Sequence, residues 1–294
     1  MQRLTSYGFT GVYFPGTQSP HKAIIATGGG FCDEKASIAM SGYLRDAGYN
    51  VLVLGFYKWK GMSKDLVSIP VDYVECAVSW LKSQGITRIA MTSLSTGAGY
   101  TLLSASLIPD INVVIPIVPY DYVMEGTTDS FKRLGRSVYT WHGVDVPYSP
   151  WTLLDCGFFQ LLRRAAKNRK YGIARLFRYA YDHNPVTEES RIRVENMHAD
   201  VLFLAVKDDD AWPSDVAVPR MVERLKEAGY AYTVEYHIYE KGSHALSDGL
   251  DELSGFTKFA LKHLIPAEKR YPQECEEARQ DSFKRVLDFL ERKL

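Results

Sequence analysis

Short apolar runs alternate along this chain with stretches of helical period. Ala23–Thr27, Val51–Gly55, the mostly apolar Ile86 to Met91, Asn112–Ile115, Val201–Val206 and Val234–Tyr239 each have the length and β-branched content of a buried strand. Between them lie candidate helices. Ala36–Ala47 is closed by Gly48, and Val71–Lys82 sets Val71, Val74, Val78 and Leu81 on one face. Ala98–Ser106 is built of small residues, and Val216–Lys226 has Ser214 as its expected N-cap. Ala278–Leu290 closes the chain as an amphipathic helix. Strands apolar on both faces, separated by helices, predict an α/β protein with a mostly parallel sheet covered on both sides.

The rhythm breaks between Pro119 and Met197. This stretch is far longer than an ordinary connection and is rich in aromatic residues, among them Trp141, Trp151, Phe158, Phe159 and Phe177. Its middle, Gly157 to Tyr181, reads as helical. The expected organisation is a core in two parts, 1–118 and 198–294, with a lid inserted at 119–197 that carries substrate selectivity.

Three separate stretches hold the candidate chemistry. Ser93-Leu94-Ser95-Thr96-Gly97 follows a predicted strand and opens a helix, the setting in which a G-x-S-x-G turn lifts a serine hydroxyl clear of a sheet. Asp208-Asp209-Asp210 follows a later strand, and Gly242-Ser243-His244 follows the last one. Serine is unreactive at neutral pH without a base, and the base needs an acid to orient it. The order serine, aspartate, histidine is that of the α/β-hydrolase fold. Ser95 is therefore the expected nucleophile and His244 the base. Of seven histidines, His244 alone follows a strand within a short turn near the end of the domain. Asp209 is the expected acid with Asp208 in reserve, while a solvated turn is the plain reading of the remaining aspartates. Ser93 replaces the first glycine of the turn and is small enough to be tolerated, while Gly97 and Gly99 keep the other side open.

The oxyanion is expected to meet the backbone N–H of Thr96, at a helix N-terminus, and a second N–H from Gly29 or Gly30 in the loop Gly28-Gly29-Gly30-Phe31. Cys32 lies beside that loop, and nothing in the sequence pairs it with a base.

Composition narrows the class further. The 294 residues carry 35 basic and 35 acidic side chains, so no global field favours nucleic acid or an anionic membrane. Four scattered cysteines form neither a C-x-x-C pair nor a disulfide framework. No metal or organic cofactor is called for. Met1 to Gly16 lacks a signal pattern and no window reaches a membrane span, so a soluble cytoplasmic protein is expected. The sequence carries no mark of an oligomeric state.

These residues resemble the C-terminal catalytic domain of acyl-CoA thioesterases and bile-acid-CoA:amino-acid N-acyltransferases. The likeness rests on Thr27-Gly28-Gly29-Gly30, Ser93 to Gly97, Val138-Tyr139-Thr140-Trp141 with Val146-Pro147-Tyr148, Asp208-Asp209 with Trp212-Pro213-Ser214, and Gly242-Ser243-His244. It implies Ser95, Asp209 and His244 as the triad. Trp141, Tyr148 and Trp212, from its more specific stretches, are the expected substrate-binding residues. Two-domain members of that family carry a preceding β-sandwich. Only about two dozen residues precede the first predicted strand here, so that module is expected to be missing.

Acyltransferase members typically use cysteine at the nucleophile position, and a serine acyl-enzyme favours water as acceptor. Hydrolysis of a small-molecule acyl thioester is the leading expectation. A carboxylesterase comes next, and an acyltransferase or a non-catalytic binding module follows. Arg163, Arg164, Lys167, Arg169, Lys170, Arg175 and Arg178 form a basic run in the insertion that could meet the phosphates of a CoA-like leaving group or could simply be a solvated face.

Overall fold

A computed structural model describes every residue of the chain except 31, 157, 168–175, 208 and 248–264. Its centre is an eight-stranded sheet. In chain order the strands are β1 (Gln2–Leu4), β2 (Gly11–Phe14), β3 (Lys22–Thr27), β4 (Asn50–Leu54), β5 (Arg88–Leu94), β6 (Val113–Ile117), β7 (Asp200–Val206) and β8 (Val234–Tyr239). Across the sheet they run β1-β2-β4-β3-β5-β6-β7-β8. From β4 to β8 every neighbouring pair is parallel, and β1 and β2 join antiparallel at one edge.

Both faces of the sheet are dry, as a parallel sheet requires. Ile25, Leu52, Met91, Val114 and Phe203 pack into one core, and their strand neighbours Ile24, Val51, Ala90, Ile115 and Leu204 into the other. Helix α3 (Asp72–Ser83) and helix α4 (Thr96–Leu107) cover the first face. The second is covered by α1 (Glu34–Ala39), α2 (Gly42–Asp46) and the last helix (Pro272–Lys293), whose Val286, Phe289 and Leu290 are fully buried.

The six predicted strands are all present, Val234–Tyr239 with the expected ends and the other five with shifted ones, while β1 and β2 were not anticipated. The single helix expected over 36–47 is two short ones. Ser41, at φ −97° and ψ 7°, breaks the helical run, and Gly42 next to it is a poor helix former. Ser214 opens helix α7 (Ser214–Glu227) as its first residue, with Pro213 in the N-cap position.

The stretch 119–197 is more β-rich than its aromatic composition suggested. It holds strands Glu125–Thr127, Arg133–Ser137, Tyr139–Trp141 and Val144–Asp145, and helices α5 (Phe158–Lys167) and α6 (Leu176–His183). Tyr139–Trp141 pairs in parallel with Ile69–Pro70, which stitches the insertion to the chain just before α3. Among the described residues no helix is long and apolar enough to cross a membrane.

The sheet order fixes where a site can form. The chain leaves β3 for β4 on one side, then returns past β3 to β5 on the other. Their crossovers therefore part company between β3 and β5, and ligands of open α/β sheets bind at such a point, beyond the carboxyl ends of the strands. Thr27, Ser93 and Pro116 stand in register there, so the loops that follow β3, β5 and β6 emerge side by side.

Candidate active site

Ser95 sits one residue past β5, at φ +59° and ψ −118°. A non-glycine residue in that region costs on the order of 1–3 kcal/mol and persists only where its surroundings impose it. Here the Ser95 N–H donates to Ile117 O at 2.9 Å, and the Ser95 carbonyl accepts from Ala98 and Gly99 as α4 begins. Close backbone packing does the rest. A methyl on Gly97 would lie 2.2 Å from Gly28 O and 2.8 Å from Ser93 Cβ, and one on Gly99 would meet the Tyr120 ring at 2.2 Å. Ser93 fits at the first position because its hydroxyl is buried in a hydrogen bond with Thr101.

The structure brings the three sequence-distant residues together. His244 Nε2 lies 2.7 Å from Ser95 Oγ, and its Nδ1 lies 2.8 and 3.0 Å from the two oxygens of Asp209. Asp209 is only 1% exposed. Its Oδ1 also accepts the N–H groups of Ala211 (2.9 Å) and Trp212 (3.2 Å), and its Oδ2 the hydroxyl of Ser214 (2.8 Å). The Ser214 hydroxyl thus holds the aspartate, which corrects its expected role as a helix cap. Asp208 lies outside the described residues. Asp210 is buried and accepts the Ala267 N–H at 3.4 Å, so it is not the solvated turn residue expected. The histidine turn is braced from behind: the Ser243 hydroxyl donates to Glu268, which is ion-paired with buried Arg279 of the last helix.

Thr96 is the first residue of α4, and its carbonyl accepts from Tyr139 (2.9 Å) and Tyr120 (3.4 Å). The glycine loop after β3 lies against this turn. A methyl on Gly29 would come 3.2 Å from Leu94 O and 3.6 Å from Ser95 Cβ, and one on Gly30 would sit 2.9 Å from Thr96 Oγ1. Phe31 lies outside the described residues.

A cavity of about 230 Å³ opens onto Ser95, Thr96, Gly30 and His244. Its walls are mostly apolar: Leu66 comes from the core, and Met124, Val138, Trp151, Leu154 and Ala180 from the insertion. Trp212 also lines it, and its indole Nε1–H donates to Ser95 Oγ at 3.0 Å. Trp141 and Tyr148 do not line it, contrary to expectation. The Trp141 ring lies 4.0 Å from that of His142, tilted by 37°, beside a separate groove with Leu103, Val144 and Val146. Tyr148 donates its hydroxyl to Gly135 O at 3.0 Å.

Several other sequence candidates resolve differently. Burial pushes the Cys32 thiol up to about 11, so it is protonated at neutral pH and suits no nucleophilic role. Arg178 is not available to a phosphate, because it is buried and bonded to Asp215 at 2.9 Å. Arg163, Arg164 and Lys167 are exposed on α5, and Arg169, Lys170 and Arg175 lie outside the described residues. Among the described residues, Asp72, Glu75 and His142 bring ligand-type atoms within 4.8 Å of one another. Asp72 and Glu75 lie in the first turn of α3, outside the Ser95 cavity, and His142 Nδ1 contacts Asp72 at 3.1 Å.

Sequence reading missed the contact between Trp212 and Ser95, the Ser214 bond to Asp209 and the Glu268–Arg279 brace. The first two had a signal in the spacing of Trp-Pro-Ser, three to five residues after Asp209.

Known proteins resemble this chain at two levels, in fold and in sequence. The fold is shared with the Pyrococcus horikoshii acylaminoacyl peptidase (TM-score 0.57, 14% identity, covering 100% of this chain and 41% of that one). It is shared also with the Pyrococcus furiosus esterase Pf2001 (TM-score 0.51, 17% identity, 97% and 87% covered). In sequence, mouse acyl-coenzyme A thioesterase 1 is 25% identical over 224 residues, 74% of this chain and 47% of that protein. Mouse peroxisomal succinyl-coenzyme A thioesterase is 25% identical over 226 residues, again 74% and 47%. The chain thus spans about half the length of these relatives. The signature of one family, BAAT / acyl-CoA thioester hydrolase C terminal, matches residues 69–294, from the strand ahead of α3 to the end of the closing helix. A match over so much of the chain decides its kinship: this protein belongs to the BAAT / acyl-CoA thioester hydrolase C-terminal family.

Proposed function

We propose that the protein is a serine hydrolase that cleaves an acyl thioester, of the acyl-CoA type, through an acyl-Ser95 intermediate. One observation carries the reading. Asp209, His244 and Ser95 form an unbroken hydrogen-bonded relay at 2.8 and 2.7 Å, and the relay ends in a mostly apolar cavity.

In acylation Ser95 Oγ attacks the thioester carbonyl carbon while its proton passes to His244 Nε2. Asp209, acceptor-only and buried, holds the Nδ1 proton and stabilises the imidazolium. The carbonyl oxygen becomes an oxyanion, which the Thr96 N–H and a glycine-loop N–H receive. Losing one such donor costs about 3 kcal/mol of transition-state stabilisation in comparable sites. Collapse breaks the C–S bond, and the leaving sulfur takes the proton from His244. Water, deprotonated by the same histidine, then attacks the ester and frees the acid and the serine.

The cavity favours an uncharged acyl group of modest bulk. It exceeds the roughly 150 Å³ apolar cavity that accommodates benzene, and among the described residues that line it there is no lysine or arginine. The exposed cations of α5 offer partners for the phosphates of a CoA leaving group. The stretch 119–197 acts as a lid that sets selectivity, since it supplies most of the apolar wall. Cys32, Cys76 and Cys275 are free thiols, which supports a reducing compartment, and we place the protein in the cytoplasm.

A second reading, hydrolysis of an oxygen ester, draws on the same absence of cations from the cavity. A panel of acyl-CoA thioesters and p-nitrophenyl esters with matched acyl chains separates the two, run on wild type and Ser95→Ala. Thioester turnover that exceeds ester turnover and falls by several orders of magnitude in the variant is the expected result. Near-normal turnover in Ser95→Ala overturns the nucleophile assignment.

A further inference from the structure

Among the described residues Ser95 Oγ has two hydrogen-bond partners of different kind. His244 Nε2, at 2.7 Å, can accept or donate, whereas Trp212 Nε1, at 3.0 Å, can only donate. The indole therefore occupies a lone pair of the hydroxyl and leaves its proton for the histidine. Asp209, acceptor-only when ionised, takes the proton on Nδ1. Both ends of the relay are then polarised in the same direction, with Nε2 bare and facing the serine proton.

The main chain of Trp212 and two aromatic rings hold it for this contact. Its backbone N–H donates to Asp209 Oδ1 at 3.2 Å, so a single residue binds the acid through its main chain and the serine through its side chain. The Tyr120 ring lies 5.6 Å from the indole and the Trp151 ring 6.5 Å away. Tyr120 is itself bonded to Tyr139 at 2.7 Å, and both hydroxyls reach the Thr96 carbonyl. Indole, nucleophile turn and acid loop are thereby one rigid assembly.

We propose that Trp212 is a catalytic residue of acylation, a hydrogen-bond donor to the reacting oxygen, and not chiefly a wall of the acyl pocket. The proposal rests on the reading of Ser95 as nucleophile. As the Oγ proton moves to His244 Nε2 and the Oγ–carbon bond begins to form, electron density on Oγ rises and the indole N–H bond strengthens. Once that bond is complete, Oγ is an ester-type oxygen, a weaker acceptor, and the charge has moved to the former carbonyl oxygen. The donor thus favours the start of attack over the resting hydroxyl. A hydrogen bond to an oxygen that gains charge corresponds to a factor of about ten to a hundred in rate.

The test replaces Trp212 in two ways: Trp212→Phe, and a benzothiophene isostere of tryptophan at position 212 alone, which keeps the ring shape and lacks the N–H. A fluorophosphonate probe reports Ser95 reactivity without any acyl-CoA, and steady-state kinetics on an acyl-CoA gives KM and kcat. Both variants are expected to label about tenfold to a hundredfold more slowly, with kcat reduced by a similar factor and KM nearly unchanged. Normal labelling of the isostere overturns the proposal, even if Trp212→Phe is slow, because packing alone would then explain the loss. A raised KM with normal labelling also overturns it and returns Trp212 to the pocket wall. If wild type itself is not labelled, the nucleophile assignment fails first. If wild type labels and the isostere matches it, only the role of Trp212 fails.

Discussion

Asp209→Asn is the sharpest single perturbation of the site, because the donors around the carboxylate dictate how an amide must sit there. Oδ1 receives two backbone N–H groups, from Ala211 and Trp212, which are fixed by the turn. The amide oxygen must take that position, so the amide nitrogen falls at Oδ2, against Ser214 Oγ and His244 Nδ1. The Ser214 hydroxyl can turn to accept. His244 Nδ1 then has the amide oxygen at 2.8 Å and the amide N–H at 3.0 Å, and when it accepts that N–H its own proton moves to Nε2, which faces Ser95 with a donor instead of a base. The substitution thereby opens the wrong tautomer to the histidine with little change of shape. An equivalent substitution in a Ser-His-Asp protease lowers kcat about ten-thousandfold, corresponding to about 5.5 kcal/mol in the barrier. The fold should lose far less, on the order of 1 kcal/mol for one rearranged buried hydrogen bond. Thioester kinetics, fluorophosphonate labelling and urea denaturation measure turnover, serine reactivity and stability on one preparation. A variant that keeps its rate within tenfold of wild type would sink the tautomer argument, and so would one whose stability collapses along with its activity.

Two further predictions follow from the packing of the nucleophile turn and its tyrosines. Gly97→Ala should destabilise by at least the ~1–3 kcal/mol of an overpacked core, since its methyl would meet a backbone carbonyl at 2.2 Å. Adding Ser93→Gly should not restore the urea midpoint, because it removes only one of the clashing atoms and also the bond to Thr101. Burial holds the phenols of Tyr100, Tyr120, Tyr139 and Tyr181 above the ordinary tyrosine range. The unfolded chain releases these protons first, so their contribution is complete below about pH 10 and is lost as pH rises beyond it. Urea midpoints at pH 8 and in the alkaline range, with tyrosinate absorbance followed alongside, check this. A midpoint that holds while the phenols ionise refutes it.

What the sequence revealed follows from where each feature is encoded. The parallel strands are apolar on both faces, so six of them stood out as runs. β1 and β2 are short, and only antiparallel pairing at the edge identifies them. The serine turn was legible because its strain is relieved locally, by Gly97 and Gly99 within a few residues. Pocket selectivity was not, since Leu66, Met124, Trp151 and Ala180 meet only through the path of the insertion. Trp141 and Tyr148 show the same limit, for a motif can mark a position without saying which cavity the fold turns it toward.

The acid shows why local reasoning could prefer Asp209 and still had to keep Asp208 in reserve. Asp209 accepts the N–H groups two and three residues ahead, which is how a carboxylate closes an ordinary turn. The plain turn and the proposed catalytic acid therefore use the same bonds, and His244, from the loop after another strand, distinguishes them. The same turn carries Trp212 to Ser95 and Ser214 to Asp209, so the residues after the acid are part of its geometry. A Trp-Pro-Ser stretch at this spacing thus carries more information about the site than the aspartates do. Tryptophan at the third position is the one side chain there that presents a donor and no acceptor to the serine.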